Sequence, residues 1–358
     1  MQSALSSNRR GAARHAIEAV ESLSDEAVRW VTDEICRRYA QLMIVRGAKG
    51  RLHTQQDVKY HLEFLNGALA TGAPIFFTDY IRWLATVLES RGVPPKSLDD
   101  SLELLLYFFS EALDPPLKEC VADVLEQGRG ALADGRRPTE PLYSAHRPTD
   151  LPHVAELTKC LIDGDVQSAR SLSQTSWESS GDYVEIATRL FQPALYDVGE
   201  LWQRNQITVA QEHLATAIIQ TLLTQFYLTA AVFAKPSGRT ALFAGVEGNQ
   251  HVLGLRMVSD AFELAGWTVQ FLGANTPTDA LVAHLDSAKP EVVGLSASMV
   301  QQLPTLQRAV EVMKAELGSQ CPILLVGGLS TNQMNEVWRW IGADAWSPDA
   351  KKAVAKIT

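Results

Sequence analysis

The chain has 358 residues, 46% of them hydrophobic, with a net charge of −9 and a pI near 5.4. That length implies two or three domains with ample core. The acidic balance argues against a general nucleic-acid binder, which presents a basic face. Four cysteines (Cys36, Cys120, Cys160, Cys321) lie far apart without a C-x-x-C pair. They point to neither a zinc site nor a disulfide framework and suit a reducing cytoplasm. Residues 1–19 lack the apolar core of a signal peptide, and no apolar run reads as a membrane span. A cytoplasmic protein with no membrane or direct nucleic-acid contact is expected.

Residues 1–135 read as an all-α domain of at least five helices. Asp25–Met43 is amphipathic. Thr54-Gln55-Gln56-Asp57 looks like a capping-box start for a helix to Ala70, with Gly72 just past its end. Pro74–Ser90, Leu98–Leu113 and Leu117–Leu132 follow. The Pro-rich, polar stretch 136–150 reads as a linker. Residues 151–235 read as a four-helix bundle, with apolar spacing of three and four in Tyr183–Trp202 and Val209–Phe233. Asp150, Asp165 and Thr208 are candidate N-caps, and Gly181-Asp182 opens a third helix. Residues 236–358 alternate strand and helix, with strands near 240–246, 267–272, 291–296, 321–326 and 344–346. That alternation implies a doubly wound, Rossmann-like parallel sheet.

The chemistry concentrates in the loop Gly248-Asn249-Gln250-His251-Val252-Leu253-Gly254, directly after the first strand. A histidine at the carboxyl edge of a parallel sheet stands where doubly wound folds bind ligands, and its imidazole can ligate a metal. Ser296-Ala297-Ser298 follows the third strand and Gly327-Gly328 the fourth. This order resembles the cobalamin-binding domain of B12-dependent proteins. The resemblance implies that His251 is the lower cobalt ligand. It also implies that Val252 and Gly254 shape the turn, while Ser296, Ser298, Gly327 and Gly328 form the slot for the nucleotide tail. The family usually has Asp where Asn249 stands. An amide adds no negative charge, so a weaker cobalt–imidazole bond is expected.

A second constellation is Trp202 followed nine residues later by Glu212-His213. On spacing alone, Trp202 reads better as a core anchor and the Glu–His pair as a solvated face. Its place directly before the B12 fold changes that reading. The pattern resembles the helical cap of B12-dependent photoreceptors, best known from light-controlled repressors. The resemblance implies that Trp202, Glu212 and His213 flank the upper face of the corrin, beside an adenosyl group. Gln203 departs from the pattern, because those repressors place a second histidine after the Trp.

The run Gln56 to Gly72 resembles the bilin-binding helix of phycobiliproteins, an all-α globin-like family. The resemblance implies that Asp57 accepts from the pyrrole nitrogens, with Tyr60 and His61 on the next turn. Thr54 stands where the tethering Cys would be, so biliverdin or another bilin would be held noncovalently. Read plainly, Asp57 is a charge near a helix start, favoured by the dipole, on an ordinary core helix.

With all three motifs together the chain resembles the photocobilins. The resemblance implies a photoreceptor, not an enzyme, that binds adenosylcobalamin or hydroxocobalamin and signals to a protein effector, as a homo-oligomer. A corrinoid methyl carrier serving a methyltransferase, or a light-independent B12-sensing regulator, are the alternatives. Trp202 over the cobalt and the lack of a recognisable substrate-activating domain speak against the carrier.

Overall fold

The computed structural model describes residues 2–135, 149–333 and 336–357, with side chains from residue 13 onward. Two compact units divide the chain, 1–139 and 140–358. Apart from Thr149 and Asp150, the expected linker lies outside the described residues.

The first unit is all-helical: α1 Gln2–Arg38, α2 Ala40–Thr71, α3 Ile75–Ser90, α4 Pro95–Ala112 and α5 Pro115–Ala133. Pro95 and Pro115 sit at helix starts, where an absent N–H leaves no bond unmade. Thr54–Asp57 does not open a helix. Thr54 Oγ1 donates to the Gly50 carbonyl at 3.0 Å, well inside α2. The break falls earlier, at Gly47, whose φ of 60° and ψ of −155° exclude a side chain. Asp57 therefore lies too deep in the helix for a dipole role.

The second unit opens with a helical bundle: α6 Val154–Asp163, α7 Val166–Ser180, α8 Tyr183–Ile186, α9 Gln192–Gln203 and α10 Val209–Ala231. Asp165 caps α7 and Asp182 caps α8 by accepting backbone N–H bonds. Thr208 and Gln211 form a reciprocal capping box on α10. Asp150 is not the N-cap of α6, which starts after His153, a residue with a left-handed φ of 74°.

The single helix expected over 183–202 is interrupted by a π turn, Ala187–Phe191. Pro193 accounts for it, having no N–H to offer the Arg189 carbonyl. That carbonyl instead accepts the Leu151 N–H at 2.8 Å, and Arg189 Nε donates to the Thr149 carbonyl at 2.8 Å. Proline chemistry in α9 thus pins the segment that enters the bundle.

Contrary to the sequence reading, among the described residues one helix, α10, is long and apolar enough to cross a membrane by length and composition. Here it supplies the core of the bundle through Ala215, Ile218, Ile219, Leu222, Leu223 and Phe226.

The remainder is a five-stranded sheet with β1 Thr240–Val246, α11 Leu253–Leu264, β2 Thr268–Thr276, α12 Thr278–Ala288, β3 Val292–Ser296, α13 Leu303–Leu317, β4 Ile323–Gly327, α14 Leu329–Asn332, α15 Val337–Ile341, β5 Ala345–Trp346 and α16 Ala350–Ile357. All strands are parallel, in the order β2-β1-β3-β4-β5. Central β1 and β3 are almost wholly buried, whereas edge strand β2 alternates. Strand order reverses between β1 and β3, the switch point at whose carboxyl edge such folds take ligands.

Bundle and sheet share core and polar contacts. Met257 of α11 belongs to the bundle core, and Leu253 packs against it. The Tyr183 hydroxyl donates to the Asp260 carboxylate, which also accepts Arg256 Nε at 2.6 Å. Burial pushes the Asp260 carboxyl up, and those two hydrogen bonds pull it part of the way back. Tyr227 donates to Glu263 at 2.8 Å.

Candidate cofactor site

The loop that carries His251 is built by its neighbours. Asn249 is fully buried. Its Nδ2 donates to the Ser296 carbonyl at 2.9 Å, and its Oδ1 accepts the His251 N–H at 3.1 Å. The amide is thus committed to backbone and fixes the loop, whereas the sequence had suggested an acceptor for the imidazole. The His251 ring is exposed at the carboxyl edge of β1. Among the described residues no group of three His, Cys, Asp or Glu could hold a metal ion. A corrin brings four nitrogens of its own and asks the protein for one ligand, so a single placed imidazole fits that cofactor better than a bare ion.

Ser296 and Gly327 end their strands at the carboxyl edge of the sheet, and Ser298 and Gly328 follow in the loops. Ser296 is buried and pairs between Gly245 and Gly327. Ser298 donates through Oγ to the His251 carbonyl at 3.3 Å. Gly328 has φ 102°, and a Cβ there would sit 2.2 Å from the Ala297 carbonyl oxygen. Only glycine allows the β3 and β4 loops to come this close. Ser330 Oγ closes the same seam by donating to that carbonyl at 2.7 Å. Val252 lies against Gly245, where an added Cβ would meet its methyl at 3.2 Å, and Gly254 is open to solvent.

Three participants were not visible in the sequence reading. Asn275, with φ 51°, accepts the Gly248 N–H at 2.8 Å and donates its own N–H to the Asn249 carbonyl. Gln302 and Ser330 are the others. Asn275 lies at the end of β2, Gln302 precedes α13 and Ser330 lies in α14; polar residues at such element ends are too common to be singled out.

In the bundle, Trp202 lies near the end of α9, while Glu212 and His213 lie in the first turns of α10. The connection 204–208 is tight, with the Asn205 N–H bonded to the Trp202 carbonyl. All three therefore share one end of the bundle. Trp202 is half-buried against the core that Leu253 also touches. His213 is largely exposed and hydrogen-bonded to the half-buried Glu212. Trp202 packs against the bundle core, as its plain reading expects, at the bundle end that also carries Glu212 and His213.

In the first unit, Asp57 and His61 line a narrow pocket with Tyr39, Arg46, His53 and Thr54. Burial pushes the Asp57 carboxyl up to about 6 against the pull of Arg46 and Arg91. His61 is buried, hydrogen-bonded to the Tyr80 hydroxyl at 2.8 Å, and burial lowers its imidazole to about 3. Tyr60 is 42% exposed and is not among the residues lining this cavity. The expected trio is therefore split, because one-residue steps on a helix change face.

Comparison with known proteins agrees with the second unit. Residues 239–356 match the B12 binding domain, and residues 154–226 match a second B12 binding domain model. The trimethylamine corrinoid protein of Methanosarcina barkeri is 25% identical over 211 residues, 57% of this chain and 94% of that protein. The HTH-type transcriptional repressor CarA of Myxococcus xanthus is 33% identical over 129 residues, 36% of this chain and 43% of the repressor. The fold of the monomethylamine corrinoid protein of Methanosarcina barkeri covers 56% of this chain and 95% of its own, with a TM-score of 0.51 at 18% identity. None of these names speaks of light or of a bilin, and corrinoid proteins fit the carrier alternative better than the photoreceptor reading. A helical bundle and a Rossmann-like sheet, each matched to a B12 binding domain, make this chain a cobalamin-binding protein.

Proposed function

We propose that this chain is a corrinoid carrier that presents cobalamin for methyl transfer. One observation supports this most: the bundle and sheet together correspond to 94% of a corrinoid protein that consists of little else. In this reading His251 provides the lower ligand, and Asn249 holds its loop. Val252 and Gly254 form the turn, and Ser296, Ser298, Gly327 and Gly328 receive the tail. Trp202, Glu212 and His213 border the opposite face. Cobalamin would supply a cobalt able to take up and release a methyl group. His251 would hold it, and Asn249 would fix the loop that presents the imidazole.

A carrier must leave the upper face of the cofactor open to a second protein. In the reduced, cobalamin-loaded full chain, a labelled methyl group from methyl iodide should enter at a rate comparable to that for free cobalamin. Strong retardation by the protein would overturn the carrier. Replacing His251 by Ala should shift the cobalamin spectrum or cost binding. An unchanged spectrum and affinity would remove His251 from the ligand role.

A light-responsive reading is favoured by Trp202, a bulky indole half-buried at the bundle end that also carries Glu212 and His213. In it the upper group is adenosyl, light removes it, and the bundle repacks on the sheet to signal to a protein effector. The first unit would then be a globin-like module holding biliverdin or a similar bilin noncovalently in the cavity of Asp57 and His61. Absorption of the protein produced with adenosylcobalamin and biliverdin, before and after green and red light, tests it. No light-induced change and no long-wavelength band would leave the carrier.

A further inference from the structure

We infer that Gln302 is a positioning residue for the lower cobalt ligand, coupling the His251 loop to the loop after β3. The inference rests on the reading of His251 as that ligand. Gln302 is buried just before α13, and one carboxamide serves three backbone groups. Its Oε1 accepts the N–H groups of Ser298 at 2.9 Å and Met299 at 3.0 Å. Its Nε2 donates to the Gly248 carbonyl at 3.0 Å. The two acceptor bonds lie in the β3 loop, and the donor bond crosses to the β1 loop three residues before His251.

This cross-link is not redundant. Asn249 ties the β1 loop to Ser296, at the end of a strand that the sheet already holds. Ser298, by contrast, lies beyond the strand, and its hydroxyl reaches the His251 carbonyl. Gln302 fixes Ser298 from the other side, so Gly248, His251 and Ser298 form a closed ring of contacts around one buried carboxamide. A buried polar network holds one arrangement when every member is satisfied. Ligand position and tail slot are therefore set together.

The donor and acceptor halves of Gln302 can be separated. Gln302→Glu is isosteric and keeps an acceptor for both N–H groups, but its carboxylate cannot donate to the Gly248 carbonyl. Gln302→Ala removes all three bonds. The readout is electron paramagnetic resonance of the full chain loaded with reduced, cobalt(II) cobalamin and carrying ¹⁵N-labelled histidine. Nitrogen splitting from the label reports imidazole on cobalt. Both variants should lose much of that splitting at pH 8 and release hydroxocobalamin about tenfold faster or more, the size expected when the support of a metal ligand is removed.

His251→Ala serves as the reference. If it leaves the spectrum unchanged, the ligand reading fails. If it abolishes the splitting while Gln302→Glu keeps wild-type splitting and release, Gln302 is only a structural residue and the inference is overturned. Should Gln302→Ala fail to fold, Gln302→Glu decides alone.

Discussion

At the scale of single residues, Asp57 makes the clearest energetic statement. Its carboxyl is held near 6 by burial, above the usual carboxylate range. A raised carboxyl binds more protons folded than unfolded between those two values. Stability from this group is therefore present at low pH and lost as pH rises through about 6. Asp57→Asn removes the loss. The variant should be more stable than wild type at pH 7 by about 1–3 kcal/mol, and the gain should vanish below about pH 4, where Asp57 is protonated in both states. Hydrogen exchange of α2 in the full chain at the two pH values checks it. A gain that does not depend on pH would assign the effect to packing. His61, lowered by burial, has the opposite sign and loses stability as pH falls from its ordinary value. The comparison must therefore be variant against wild type and not one pH against another.

Trp202 separates the two readings of the cofactor's upper face. If the indole borders a bound adenosyl group, Trp202→Ala should weaken adenosylcobalamin binding more than hydroxocobalamin binding. Titrations of both forms measure it. Equal weakening returns Trp202 to the role of core anchor, which suits a carrier.

At the scale of elements, the order of strands and helices could be read directly. The second unit's alternation placed every strand to within a few residues, because buried parallel strands such as Val292–Ser296 are continuous apolar runs. The caps at Asp165 and Thr208 were legible too, since a side chain that accepts a backbone N–H is a local event. The π turn at Ala187–Phe191 was not, although Pro193 is its cause. A proline announces disruption but does not say whether a helix stops or widens. The part of α2 upstream of Thr54 was missed; Gly50 stays helical there, and only Gly47 breaks the backbone. In the loop after β1 the position of His251 at the carboxyl edge of the sheet was legible. The actual use of Asn249 was not, because a carboxamide serves backbone and side chains equally well and only the fold decides.

The contact of α8 with α11 carries its own prediction. The Tyr183 hydroxyl donates to an Asp260 carboxylate that burial already penalises. Tyr183→Phe leaves that carboxylate with Arg256 alone. It should cost about 1–3 kcal/mol, as expected for losing a bond to a buried charged group. Urea unfolding of the full chain, followed through the bundle, measures the loss. A cost near zero would mean that water replaces the hydroxyl and that bundle and sheet are joined by the apolar contacts of Met257 and Leu253 alone.

At the scale of the whole molecule, two compact units imply two separate stabilities. Cobalamin binding residues of both the bundle and the sheet match would stabilise the unit 140–358 by mass action, because the unfolded chain has no assembled site. At free hydroxocobalamin a thousandfold above its dissociation constant the gain is about 4 kcal/mol. Hydrogen exchange should then slow in β1, β3 and α10, with α2 to α5 unchanged. Biliverdin, if the cavity beside Asp57 takes it, should do the converse and slow exchange in α2 and α3 alone. Protection by biliverdin confined to the second unit would mean that it occupies the corrin site as another tetrapyrrole. Protection nowhere would leave the first unit as a helical module for a protein partner. Each outcome assigns the first unit a role that does not depend on what the cobalt does.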